Sequence, residues 1–67
     1  KQGQYPRKVA EVNIKSGAVI NPGAIVIAGV TVGENSIISP RSVVTNDIPD
    51  YCIAVGNPAR VVKKINH

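Results

Sequence analysis

Residues 14–49 read, six at a time, IKSGAV (14–19), INPGAI (20–25), VIAGVT (26–31), VGENSI (32–37), ISPRSV (38–43) and VTNDIP (44–49). Each block opens on a β-branched aliphatic residue: Ile14, Ile20, Val26, Val32, Ile38 and Val44. The fifth places hold Ala18, Ala24, Val30, Ser36, Ser42 and Ile48, nearly all small. Turn-formers fill the places between: Ser16-Gly17, Pro22-Gly23, Ala28-Gly29, Gly33-Glu34-Asn35, Pro40-Arg41 and Asn46-Asp47. Neither the two-residue period of a half-buried strand nor the 3.6-residue period of an amphipathic helix yields a repeat of six. Each block instead reads as a short strand closed by a tight turn, whose residues tolerate unusual backbone angles. Three such blocks make one triangular coil, and stacked coils pair as parallel strands. The heads then point inward, with Ile14 under Val32, Ile20 under Ile38 and Val26 under Val44. The small fifth residues suit the narrow parts of the prism. The expected architecture is an all-β, parallel β-helix of about two coils.

The size of the chain makes this architecture dependent on company. A 67-residue chain buries only roughly 60% of the surface its unfolded form exposes, and scaffolds this small commonly need disulfides, a metal or association. The single cysteine, Cys52, excludes an internal disulfide, and the single histidine, His67, leaves a Cys/His zinc site short of ligands. Association, or membership of something larger, remains. The chain is 43% hydrophobic, too high for a disordered segment, and its apolar residues are Val, Ile and Ala with no Phe, Trp or Met. No apolar run approaches membrane-spanning length and no signal-peptide pattern opens the chain. With a lone cysteine, the expectation is a cytoplasmic protein.

Beyond the repeats, Pro49-Asp50 reads as a turn, Tyr51–Val55 as a short strand and Gly56 as its end. Asn57 is a good helix N-cap and Pro58 a favoured first helical residue, and Val61, Val62 and Ile65 are spaced to cover one helix face. A short helix capping the solenoid is therefore expected. The expected organisation is a leader or remnant of a preceding element over 1–11, the repeats over 12–49, and a strand with capping helix over 50–67. The net charge is +4, and past Asp50 come Arg60, Lys63 and Lys64 with no acid. A cluster of that kind is either a solvated face or an anion site.

Two strings, Ser42-Val43-Val44-Thr45-Asn46-Asp47-Ile48-Pro49 and Gly56-Asn57-Pro58-Ala59-Arg60-Val61-Val62, together with the blocks, resemble the hexapeptide-repeat acyltransferases. The resemblance runs from Val12 to Ile65 and is nearest the sugar O-acetyltransferases of the maltose and galactoside type, with streptogramin acetyltransferases as near relatives. It implies a left-handed β-helix; chain physics alone favours right-handed crossovers. It also implies a homotrimer in which acetyl-CoA, the acyl donor, lies in a groove between two subunits and no metal takes part. The stretch matching Thr45-Asn46 borders that groove, and the cations matching Arg60 and Lys63 approach the phosphates of CoA. A guanidinium fork and an ammonium point charge suit phosphate oxygens. Thr45 reads equally as a turn residue bonding its own backbone.

The chain also departs from the family. Ser39-Pro40-Arg41 stands where relatives are small and Gly-rich, so Pro40 and Arg41 bring a ring and a charge to the groove wall, and Arg41 either adds a phosphate contact or obstructs the pantetheine arm. Asn46 stands where Lys is frequent, and Ala24–Gly29 reads as an additional block. Acetyl transfer to a hydroxyl needs a general base, commonly histidine, which relatives carry on an earlier coil. Here His67 falls past the cap, Glu11, Glu34, Asp47 and Asp50 sit in polar segments without a partner, and Cys52 reads as an inert strand residue. No catalytic residue is assigned. The expectation is the CoA-binding, C-terminal part of an O-acetyltransferase acting on a sugar or similar hydroxyl, inactive as an isolated chain. The alternative is a non-catalytic β-helical assembly module or truncated remnant. A zinc carbonic anhydrase of the same fold would need several histidines, and a nucleic-acid binder would want aromatics among its cations; neither pattern is present.

Overall fold

The computed structural model describes residues 11–65. Apart from Glu11, the expected leader lies outside them, as does His67. Six two-residue strands come first: β1 (Asn13–Ile14), β2 (Val19–Ile20), β3 (Ile25–Val26), β4 (Thr31–Val32), β5 (Ile37–Ile38) and β6 (Val43–Val44). Two longer strands follow, β7 (Cys52–Gly56) and β8 (Ala59–Lys64). The first sheet holds β1 and β4, the second β2, β5, β7 and β8 in that order, and the third β3 and β6. The parallel pairs place Ile14 against Val32, Ile20 against Ile38 and Val26 against Val44, so the chain returns to each sheet after eighteen residues, as the period requires.

The turns explain why six residues suffice. In each of the first five, the amide of the fifth-place residue donates to a carbonyl three residues earlier, as in Ala18 N to Lys15 O and Ser42 N to Ser39 O (3.2 and 3.3 Å). The residue before that donor has positive φ throughout: Gly17, Gly23, Gly29, Asn35 and Arg41. A positive φ there is what a type II turn demands, and Pro22 and Pro40 occupy the preceding place, which proline favours. Arg41, at φ 65°, is the exception, since a long side chain in the left-handed region costs about 1–2 kcal/mol.

The core is the stack of heads. Val32, Ile38 and Val44 are fully buried, and Ala54 and Cys52 continue the stack above Ile38 and Ser36. Ile14, on the first described level, remains 41% exposed.

Above β6 the repeat slips. Ile48, not residue 50, pairs with Val32, and Ile53 and Ala54 pair with Ile37 and Ile38, so these offsets are 16 residues instead of 18. The corner after β6 is two residues short, and Ile48, expected at a fifth place, acts as a head. The serine hydroxyls accommodate this change. Ser36 Oγ donates to Pro49 O (2.5 Å) and accepts from Cys52 N (3.1 Å). Ser42 Oγ accepts from Gly56 N (3.1 Å).

The expected capping helix is absent; residues 59–64 form β8, antiparallel to β7 through a turn at Asn57–Pro58, whose peptide bond is cis. The expected strand also starts one residue later, because Tyr51 turns with φ 56°. Two physical reasons favour strand over helix. β7 offers a row of unpaired backbone donors and acceptors along its upper edge, and Val61-Val62 is a β-branched pair with strand preference. An N-cap signal of one or two residues does not outweigh a ladder of backbone hydrogen bonds.

Candidate functional site

The three sheets meet at three corners, and each candidate residue takes its place from the corner or strand that carries it. Pro40 and Arg41 form the turn from β5 to β6, between the second and third sheets, and both are exposed. Arg41 N donates to Pro22 O one coil below (3.2 Å). Thr45 and Asn46 follow β6 at the corner between the third and first sheets, also exposed. Their side chains pair locally, Thr45 Oγ1 donating to Asn46 Oδ1 (3.1 Å), and Asp47 Oδ1 fixes the corner by accepting from Thr31 N (2.9 Å).

Arg60 and Lys63 lie on β8, opposite Val55 and Ile53. Three residues apart on a regular strand, they would face opposite ways. The register slips between Ile53 and Ala54, leaving Val62 without an opposite number. That bulge changes the parity. Cys52 and Ala54 are buried, so Ile53 and Val55 point outward, and residues directly opposite share a face. Arg60 and Lys63 therefore both stand on the outward face of the second sheet. Below Lys63 that face carries a column of Ile53, Ile37 and Val19. The third sheet presents Ile25, 54% exposed, over which Val43 stacks, and the first sheet presents Asn13 and Thr31.

The candidates thus fall into two groups. Pro40, Arg41, Arg60 and Lys63 belong to the second sheet and the corner it shares with the third. Thr45 and Asn46 occupy the corner that the second sheet does not share. A single copy encloses no pocket among its described residues.

The remaining chemistry-bearing residues serve the fold. Asp50 Oδ1 accepts from Glu34 N (2.7 Å). Cys52 is 2% exposed, and its Sγ lies 3.4 Å from Asp50 O. Among the described residues no three His, Cys, Asp or Glu side chains cluster as metal ligands would, and no helix is long and apolar enough to cross a membrane. Sequence reasoning missed the two serine bridges and the bulge. The signal for the first was present: the aliphatic after Val44 comes four residues on, at Ile48, not six.

Comparison with known proteins fits this geometry. A dTDP-3-amino-3,6-dideoxy-alpha-D-galactopyranose 3-N-acetyltransferase of Aneurinibacillus thermoaerophilus is 44% identical over 56 residues, covering 84% of this chain and 29% of its own length. A maltose O-acetyltransferase from Clostridium difficile superposes with a TM-score of 0.81 at 48% identity, over 84% of this chain and 30% of that one. A galactoside acetyltransferase solved in complex with coenzyme A superposes with a TM-score of 0.80 at 40% identity, over 82% of this chain and 28% of that one. The chain spans about 30% of the length of the curated relatives it matches. The six-repeat profile of the bacterial transferase hexapeptide proteins matches residues 11–46, more than half of the chain. The period of six, the stacked β-branched heads and this match make the chain a member of the bacterial transferase hexapeptide family.

Proposed function

We propose that this chain is the donor-binding, C-terminal part of an acetyl-CoA-dependent O-acetyltransferase acting on a sugar or similar hydroxyl. Its prism is a left-handed β-helix of two coils over residues 12–49, closed by the hairpin of β7 and β8. The observation that carries the reading is the likeness to the galactoside acetyltransferase solved with coenzyme A. The distribution of the candidate residues supports a groove built between copies. Arg60 and Lys63 of one copy, with Pro40 and Arg41 as wall, face the Thr45-Asn46 corner of its neighbour in a homotrimer. The chemistry of the residues fits CoA: two cations stand on one outward face for the phosphates, beside the aliphatic column Ile53–Ile37–Val19 for the uncharged arm. The acetyl thioester supplies the activated acyl group, and the residues of this chain bind and orient it. Asp47 and Asp50 already accept backbone amides, so neither stands ready as general base, and the 67 residues alone are expected to bind donor without turnover.

The test is calorimetric titration of CoA into the chain, with sedimentation to establish the trimer. Saturable binding that Arg60→Ala weakens about tenfold supports the reading. A folded trimer that takes up no CoA overturns it and leaves an assembly module.

A further inference from the structure

Arg41 occupies a place that the other turns give to residues at ease with left-handed backbone. The series Gly17, Gly23, Gly29, Asn35 and Arg41 has φ of 77, 80, 88, 56 and 65°. Asparagine visits this region with local help and glycine freely, whereas a long side chain is disfavoured there. Room exists for that side chain. A β-carbon on Gly23, one coil below, would lie 3.2 Å from Arg41 Cγ, so the bare glycine gives the arginine stem its seat. Pro40 presets the turn just as Pro22 does beneath it. The side chain is exposed, and its guanidinium has no hydrogen bond or ion pair among the described residues. The turn itself demands the left-handed backbone, but nothing in the fold demands an arginine there when glycine or asparagine serves in the other turns; an ill-suited residue kept at such a place points to a use for its side chain.

We propose that Arg41 is a specificity-determining residue of the donor surface, its guanidinium held by the left-handed turn and the Gly23 seat to contact a phosphate of the acyl donor. The inference rests on the donor-binding reading above and decides between the two roles open to Arg41, for phosphate contact and against obstruction of the pantetheine arm. Position supports it. Ser39 N donates to Ala54 O (3.0 Å), which sets the 40–41 turn beneath the Asn57–Pro58 turn from which β8 leaves with Arg60. Two guanidinium groups at one corner, each a planar fork, suit the several oxygens of a diphosphate or phosphate ester better than one. Of the other two corners, that at Thr45-Asn46 offers no cation, and that between the first and second sheets carries Lys15 together with the acids Glu34 and Asp50.

The experiment compares CoA titrations and thermal melts of the unaltered chain with Arg41→Gly, Arg41→Lys and Arg60→Ala. Glycine suits the backbone, so Arg41→Gly is expected to melt at or above the original temperature while binding CoA about tenfold more weakly. Arg41→Lys keeps the charge and is expected to retain most of the affinity. Pantetheine, which lacks the phosphates, is expected to bind the unaltered chain and Arg41→Gly with the same affinity, and a loss of about tenfold for pantetheine too would overturn the inference. Arg41→Gly that binds CoA as tightly as the unaltered chain, or more tightly, overturns the inference; if Arg60→Ala still weakens binding, the donor-binding reading stands. Equal losses in Arg41→Gly and Arg41→Lys also overturn it, by making the residue structural. Absence of CoA binding by the unaltered chain overturns both readings.

Discussion

Replacing Ser36 with alanine should be the most damaging single-atom change in this chain. Ser36 is fully buried, and its hydroxyl both donates to Pro49 O (2.5 Å) and accepts from Cys52 N (3.1 Å). Without the oxygen, the Cys52 amide, in a residue only 2% exposed, loses the acceptor it has. A buried main-chain donor left unsatisfied costs about 1–3 kcal/mol. Pro49 is exposed, so its carbonyl can turn to water and adds little. Against a total stability of about 3–10 kcal/mol for a chain of this length, the loss is a large fraction. For a domain this small it corresponds to a fall in Tm of about 5–20 °C. The assay is thermal unfolding followed by circular dichroism at one fixed protein concentration, since the proposed trimer would make Tm concentration-dependent. Ser16→Ala, in an exposed turn, is the control and should change stability by less than about 0.5 kcal/mol. A Ser36→Ala Tm within two or three degrees of the control would refute the idea that the hydroxyl replaces a missing ladder bond.

Gly33→Ala should be destabilising by at least about 1–3 kcal/mol, because its β-carbon would lie 2.5 Å from Asp50 N and from the Pro49 carbonyl carbon; a lowered urea midpoint with faster amide exchange at Tyr51 is the expected result. Deleting Val62 removes the bulge yet leaves Lys63 opposite Ile53 in a regular ladder, so CoA affinity and Tm should hardly move. Were residues 59–64 a helix, the same deletion would rotate Lys63 away and abolish its contribution, which makes CoA titration of the variant a sharp check. Binding of CoA should weaken as salt rises from 50 to 500 mM, because Arg60 and Lys63 are exposed and their field is screened within a Debye length of about 10 Å at 0.1 M. An affinity independent of salt would argue against phosphate contact by these cations.

The repeat was legible because one physical requirement recurs six times. An inward β-branched head, a small fifth residue and a turn-former between them leave little freedom, and the stacking of Ile14, Ile20 and Val26 under Val32, Ile38 and Val44 follows from spacing alone. The slip at Ile48 is a matter of phase, and a single aliphatic arriving early carries less weight than five on time. The tail misled for a different reason. Asn57-Pro58 is a good helix start, but local capping preference competes here with the open edge of β7, which sequence order does not display. The candidate residues were legible as types, cations and turn residues near the end of the chain. Their division between two corners was not, since it depends on which sheet each turn leaves and on an unopposed Val62 that alters the parity of β8.

A chain that repeats every eighteen residues has translational symmetry, and symmetry of that kind contains no instruction to stop. The two-residue deficit after β6 breaks that symmetry. It draws β7 onto β5 out of phase with the rungs below, and the amides of Cys52 and Gly56 then bond to serine hydroxyls instead of to a matching backbone. The hairpin next folds β8 along the open edge of β7 in the second sheet. A further coil arriving above β6 would meet a template two residues out of phase with the rungs below, so the slip marks one rung of an otherwise uniform stack as different from the rest.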